Sequence, residues 1–300
     1  MNSKIDYSPL VSIVIPTYHR DKELKRAVIS IINQDYHNLE VLIVDDNVNE
    51  EWSKKVSEIV SSIDSSFPIV LIKNNNNMGS AGTRNVGIEN AHGEYICFLD
   101  DDDYYLENRI RKQLELMIEE DADYSITDLV LYRDDDKVED VRKRWYLNTE
   151  ERENLLLCHL KYHMTGTDTL MFKKDYLLKI GMFDIIDIGD EYYLMLKAIE
   201  NGGKFVYLPR CDVKSYVHFE NASLSCGLKK IQGENILFES KKKYFSEITR
   251  KNQKRIIMRH YAVIAYTYLK EKKYFEFFKY MVKSFCSSPV SCIKMYRSHH

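Results

Sequence analysis

Four aspartates in a row, Asp100, Asp101, Asp102 and Asp103, follow an apolar run in GEYICFLDDDDYYLENRI, residues 93–110. Like charges repel, so such a cluster costs stability unless a cation sits among them. Two carboxylates one residue apart, Asp100 and Asp102, can share a divalent cation, and hard oxygen ligands select magnesium, manganese or calcium. A solvated acidic turn is the plain alternative. A second acidic pair, Asp190-Glu191, opens the helical stretch DEYYLMLKAIENGG. Taken alone, such a pair caps the helix and favours its dipole. A cation held by few protein ligands usually binds phosphate as well, which makes a nucleotide the natural ligand. Yet there is no GxxxxGK[ST] loop, and no GxGxxG after the first strand. The phosphates are therefore expected to be held through the metal.

The elements that must position these acids are legible as apolar runs. VSIVIP (11–16), EVLIVDD (40–46), PIVLIK (68–73) and EYICFLD (94–100) read as strands. They are continuous and β-branched rather than alternating, as in a parallel sheet covered on both faces. Helical patterns separate them. In DKELKRAVISIINQ, Leu24, Ala27, Val28, Ile31 and Ile32 share a face and Asp21 can cap the start; 50–63 and 80–91 are two further helices. This alternation predicts an α/β, doubly wound, mostly parallel sheet with helices on both faces, in which ligands sit outside the carboxyl ends of the strands. Three such ends are polar: Pro16-Thr17-Tyr18, Asp45-Asp46 and Asp100–Asp103. Beyond them, 106–120 reads as a helix and 122–132 as a strand. The polar 133–145 reads as a loop or exposed hairpin, 167–183 as a strand and short helix, 190–203 as a helix and 204–209 as a strand. From about 228 onward the pattern is helical.

At 300 residues with 44% apolar and 30% charged content, the chain is expected to be globular. No apolar stretch suggests a transmembrane helix, and the N-terminus lacks the pattern of a signal peptide. Six scattered cysteines without a CxxC pair suit a reducing, cytoplasmic setting. The net charge of -3 hides an asymmetry, because residues 227–300 carry 17 Lys+Arg against 5 Asp+Glu. The expected division is a domain over 1–226. A basic, aromatic-rich helical extension follows over 227–300.

VSIVIPTYHRDKELKRAVISIINQDYHNLEVLIVDDN and NMGSAGTRNVGIENAHGEYICFLDDDD resemble the nucleotide-sugar half of a family 2 glycosyltransferase with the GT-A fold. Several separated motifs recur in order over residues 10 to 110. The likeness continues more weakly through MFKKDYLLKIGMFD and DEYYLMLKAIENGG to about residue 225, so the resemblance implies a nucleotide-binding half at about 10–110 and an acceptor half at 111–226. The resemblance implies an inverting transfer of a sugar from a nucleoside diphosphate sugar, UDP-linked by preference, to a saccharide or lipid-linked acceptor, as in bacterial surface polysaccharide synthesis. Pro16, Thr17 and Tyr18 would flank the nucleotide. Asp46 would accept a hydrogen bond from the base, with Asp45 in support. Arg84 would lie near the diphosphate or donor sugar. Asp100 and Asp102 would hold manganese or magnesium, Asp102 being the favoured direct ligand, with Asp101 and Asp103 beside the donor. Glu191 falls at the family's base position and Asp190 is the alternative, since the pair is reversed from the commoner Glu-Asp. His218 matches a position where some relatives place a histidine near the metal.

In the basic tail, lysines and arginines alternate with Tyr, Phe, Ile and Met. Such helices can pack on the preceding domain, touch an anionic membrane surface, or pair two copies as a homodimer. No motif supports nucleic-acid binding. Two other functions compete with sugar transfer. A nucleotidyltransferase would usually carry a Gly- and Lys/Arg-rich loop where PTYHRDKE stands, and a non-catalytic nucleotide-sugar-binding or scaffold protein would show no turnover.

Overall fold

The computed structural model describes residues 8–148, 154–186, 188–217 and 227–297. The chain divides into two units, Met1–Thr149 with Met164–His218, and Glu150–His163 with Phe219–His300. The charge-based boundary at 226 does not set 150–163 apart, because the LLLCHLKY helix within it has no compositional mark.

In chain order the first unit supplies β1 (Val11–Thr17), α1 (Lys22–Ile32), β2 (Leu39–Asp45), α2 (Glu50–Ser61), β3 (Ile69–Lys73), α3 (Gly79–Asn90) and β4 (Tyr95–Phe98). Next come β5 (Tyr104–Tyr105), α4 (Arg109–Glu119), β6 (Tyr124–Thr127), β7 (Leu129–Arg133) and β8 (Val138–Arg142). After α5 (Leu155–Tyr162), which belongs to the second unit, the first resumes with β9 (Leu170–Lys173), α6 (Lys174–Lys179), α7 (Asp190–Glu200), β10 (Phe205–Leu208) and β11 (Val213–Val217). The second unit continues with α8 (Gly227–Lys242), α9 (Arg250–Lys270), α10 (Tyr274–Ser287) and α11 (Pro289–Arg297).

The main sheet has the order β10-β6-β9-β4-β1-β2-β3. Only β9 runs antiparallel to its neighbours. All of β2, and all of β1 except Pro16, is buried, as their unbroken apolar runs require. Helix α1 buries Leu24, Ala27, Val28 and Ile31, and Asp21 accepts from the Lys22 N–H at 2.6 Å. Helix α3 packs so closely on β1 that a Cβ on Gly87 would stand 2.3 Å from Val14 Cγ1. Glycine there lets the helix approach the strand ends.

The run 122–132, read as one strand, divides at Asp128 between two sheets. The Asp128 carboxylate is buried and accepts from the Arg144 N–H at 2.8 Å and the Tyr207 hydroxyl at 2.7 Å. These partners turn the chain out of the main sheet, and β7 joins a second sheet of order β5-β11-β7-β8. The polar stretch after it is a hairpin, with β8 antiparallel to β7.

In the second unit α9 packs against α5, α8 and α10. Its interior is partly polar. His260 Nδ1 lies 3.1 Å from Glu234 Oε1, and its ring stacks on Phe238 at 4.0 Å. Lys241 is buried against His163, and burial lowers its ammonium to about 8. Among the described residues no helix is long and apolar enough to cross a membrane.

Candidate active site

Strand register sets the first side of the site. Thr17 pairs with Asp45 and Val14 with Phe98, so the ends of β1, β2 and β4 lie together. The acidic run turns across the end of β1. Asp101 Oδ2 accepts from the Thr17 hydroxyl at 2.8 Å and from the Tyr18 N–H at 3.1 Å. Burial and the neighbouring Asp102 push the Asp101 carboxyl up to about 8, against those two hydrogen bonds and Arg20. Pro16, half-buried, pairs with Val44 one step below. Tyr18 is exposed and stacks on His19, which lies 5.1 Å from the Trp52 ring, giving an aromatic rim beside the strand ends.

Asp45 and Asp46 sit beneath that rim and are 1% and 4% exposed. Asp45 Oδ1 accepts from the Asn47 N–H at 3.0 Å and its side-chain amide at 2.7 Å. The Asp46 carboxylate accepts from Asn74 Nδ2 and the Met78 N–H at 2.8 Å each, and from the Gly79 N–H at 3.0 Å. An acid receiving the free N–H groups at the start of a helix is a strong anchor. In this geometry the two aspartates hold the turn after β2 and the start of α3.

The acidic run meets three arginines. Arg20 Nη2 lies 3.0 Å from Asp102 Oδ2, and Arg26 donates to the Asp102 carbonyl. Arg84, from α3, is buried and reaches Asp100 Oδ1 at 2.6 Å and Asp190 Oδ2 at 3.1 Å. Burial works against its charge, but Asp100 and Asp190 outweigh it and hold the guanidinium firmly protonated. Arg84 thus joins the end of β4 to the start of α7.

Three carboxylates converge beside this bridge: Asp100, Asp103 and Asp168, each with an oxygen within 4.8 Å of the others. Asp103 accepts from the Ser215 hydroxyl, and from the Tyr216 N–H at 2.7 Å, so β11 braces it. Asp168 accepts from the Asp100 N–H at 2.8 Å and is hydrogen-bonded to the Asp103 carboxyl. Burial, then the neighbouring carboxylates, raises the Asp168 carboxyl well above its ordinary range, and burial also raises Asp103. Behind them the fully buried Arg109 donates to the carbonyls of Asp168 at 2.7 Å and Leu170 at 3.2 Å. The pair expected from spacing was Asp100 with Asp102. Geometry gathers Asp103 and Asp168 around Asp100 instead, while Asp102 faces Arg20.

Glu191 lies in the first turn of α7. Its Oε2 accepts from the Gly166 N–H at 2.7 Å and the Thr167 hydroxyl at 3.2 Å. Gly166 holds a φ of 117°, a region that L side chains rarely adopt, and this aims its N–H at the carboxylate. Burial and the Asp190 charge raise the Glu191 carboxyl above its usual value, which makes its ionised form a better proton acceptor. Asp190 is committed to Arg84. His218 lies outside the described residues.

Asp168, Arg20 and Gly166 carry no mark in the sequence reading. Asp168 stands within TGTDTLMF, a single acid that joins the cluster only because β9 runs antiparallel beside β4. The TGT context and the strand after it were the available signal.

The model of Glycosyl transferase family 2 matches residues 12–180. The chain belongs to that family. An uncharacterised glycosyltransferase of Methanocaldococcus jannaschii, MJ1057, is 31% identical over 199 residues, 66% of this chain and 67% of that protein. The Escherichia coli UDP-Glc:alpha-D-GlcNAc-diphosphoundecaprenol beta-1,3-glucosyltransferase WfaP is 36% identical over 125 residues, 42% of this chain and 48% of WfaP. The chain spans 43 to 67% of the length of the first curated relatives it matches. In fold it is similar to the Pyrobaculum calidifontis mannosyltransferase PcManGT, with a TM-score of 0.57, 14% identity, and coverage of 96% of this chain and 76% of that one. The chain thus carries a family 2 domain of the GT-A type, as the resemblance over residues 10 to 110 implied.

Proposed function

We propose that this family 2 member transfers a sugar, with inversion, from a nucleoside diphosphate sugar to a hydroxyl of a saccharide or lipid-linked saccharide. The observation that carries the reading is Arg84, whose buried guanidinium ties Asp100 to Asp190 and so brings the acidic cluster and Glu191 to one crevice. WfaP's name specifies a UDP-linked donor and a diphosphoundecaprenol acceptor, which supports UDP and a lipid-linked acceptor for this chain too. Free thiols at Cys97, Cys158, Cys211, Cys286 and Cys292 support a reducing, cytoplasmic setting.

The ligand set suits a hard divalent cation, because three carboxylates crowd together and burial disfavours the charge of two of them, Asp103 and Asp168. Asp100, Asp103 and Asp168 would hold manganese or magnesium, with Asp102, paired to Arg20, beside them in the run. Bound there, the ion would neutralise the diphosphate and make it a better leaving group. PcManGT was solved with GDP-Man and Mn2+, which supports the same pairing.

The chain's own groups do the rest. Tyr18 and its aromatic rim receive the base, and Thr17 fixes Asp101 beneath it. Asp45 and Asp46 fix the loops under the nucleotide. Glu191, held by Gly166 and Thr167, takes the proton of the acceptor hydroxyl. That oxygen forms the new bond to the anomeric carbon as the bond to the diphosphate breaks on the opposite face. Asp190 keeps Arg84 in place.

Calorimetry with UDP and GDP, with and without manganese, tests the donor site, and release of UDP from UDP-sugars tests turnover. Manganese-dependent binding of one nucleotide, lost in Asp100→Ala, is expected. Failure to bind either nucleotide under any condition would remove the donor-site reading.

A further inference from the structure

The second unit carries an apolar surface that folding leaves exposed. Helix α10 has two faces of opposite fate. Ser284 is fully buried, and its hydroxyl donates to the Met258 carbonyl of α9 at 2.8 Å. Tyr280, turned the same way, lies near Tyr261 and stacks at 5.6 Å on Tyr268. On the other face stand Phe275, Phe278, Val282 and Phe285, at 80, 57, 56 and 46% exposure. The spacing i, i+3, i+7, i+10 places all four on one stripe. On α11, Val290 and Ile293 are likewise exposed, at 68% and 46%.

Its rim is basic. Lys272, Lys273, Lys279 and Lys283 are exposed around it. The acids in this stretch are Glu271 and Glu276, and Glu276 is paired to Lys279 at 3.2 Å. Folding has already taken the opposite face, so the stripe is surplus to the core of the unit. Large exposed apolar patches mark interaction sites. Aromatic side chains on one face with lysines beside them are the chemistry of a helix lying in the plane of an anionic bilayer, rings at the acyl boundary and ammonium groups among the phosphates. A second copy fits less well, because pairing the stripe with itself would bring two lysine rims together.

We infer that the α10 face, with Phe275, Phe278, Val282 and Phe285 at its centre and Lys279 and Lys283 on its rim, docks this chain on the surface of an anionic lipid bilayer. Catalysis does not enter the inference, which stands whether or not the acceptor is lipid-linked.

The test is flotation of the full chain with vesicles of phosphatidylcholine alone or mixed with phosphatidylglycerol. Wild type should float with the anionic vesicles and remain behind with the neutral ones. Partition should fall roughly tenfold or more in Phe275→Ser/Phe278→Ser/Phe285→Ser, and comparably in Lys279→Glu/Lys283→Glu. The lysine variant leaves every apolar side chain in place, so it decides the matter if the triple variant misfolds by circular dichroism. Failure of wild type to float, or equal flotation of the lysine variant, overturns the inference. A dimer in sedimentation that the same variants dissolve, without vesicle binding, would assign the face to a second copy and overturn it as well.

Discussion

Buried carboxylates at the two ends of the main sheet have opposite fates. At the amino end, Glu40 of β2 is 5% exposed and is surrounded by donors. The Ser12 hydroxyl reaches it at 2.5 Å, the His92 N–H at 2.6 Å and the Gly93 N–H at 3.1 Å. Burial alone would raise its titration, yet these bonds more than compensate and hold it below its ordinary value. At the carboxyl end, Asp103 and Asp168 are as deeply buried and also accept hydrogen bonds, but other carboxylates crowd beside them, and their titration moves up. Both ends use the same chemical group. The amino end satisfies its acid with protein donors and gains stability; the carboxyl end leaves an excess of negative charge that a cation would relieve. Excess charge held in place by Arg84, Arg109 and β11 reads as a binding site rather than as a defect of folding.

The largest effects are expected at the carboxyl end, and in activity. Asp168→Asn should lower turnover by roughly a hundredfold or more, while the metal-free protein melts no lower than wild type because a like-charge contact is gone. Manganese should raise the melting point of wild type more than that of the variant. A variant that melts several degrees lower without metal would break the contrast between the two ends. Glu191→Gln should cost about 10²–10⁴-fold in turnover, with UDP binding by calorimetry nearly unchanged. A matching loss of nucleotide affinity would instead make Glu191 a strut for the 166–167 turn.

Glu40→Ala should have the reverse signature. It strands several buried donors and leaves a small void, so about 2–3 kcal/mol of stability should be lost, with turnover per folded molecule retained. Denaturant unfolding against initial rates separates the two quantities. Because the Glu40 titration is lowered on folding, its contribution is present in full above the unfolded value near 4.5 and drains away as pH falls through the lower folded value. The gap between wild type and Glu40→Gln should therefore narrow as the pH is taken below about 4.5. The exposed His92 ring adds little to this window, since solvent screens it.

The sheet and its first three helices were legible in the sequence because burial on both faces leaves continuous apolar runs, and because Asp21 marks the start of the first helix. The polar strand ends were legible for the same reason: a topology that fixes where strands stop also fixes where ligands sit. Partner choice within the crevice was not. Whether Asp100 shares its cluster with Asp102 or with Asp168 depends on a strand, β9, that enters the sheet from far along the chain and antiparallel. Spacing along one turn carries no such information. The assignment of 150–163 to the helical unit failed to show for a related reason, since α5 owes its place to packing against α9 rather than to any motif of its own.

The finest probe of the contrast is Ser12→Ala. Ser12 is fully buried on β1, where its hydroxyl donates to Glu40 and accepts from the Gly93 N–H at 2.8 Å. Alanine removes one donor from a carboxylate that keeps the His92 and Gly93 N–H groups, so the loss should be about 1 kcal/mol, smaller than for Glu40→Ala. Glu40 should then titrate closer to its ordinary value, so less stability is lost as pH falls below about 4.5 and the acid limb of the stability curve should be shallower. Combined with Glu40→Ala, the two losses should add to less than their sum, because both act on one network. Strict additivity would mean that Ser12 serves the Gly93 turn alone, and that the amino-end acid is held by its backbone partners without help from the strand beside it.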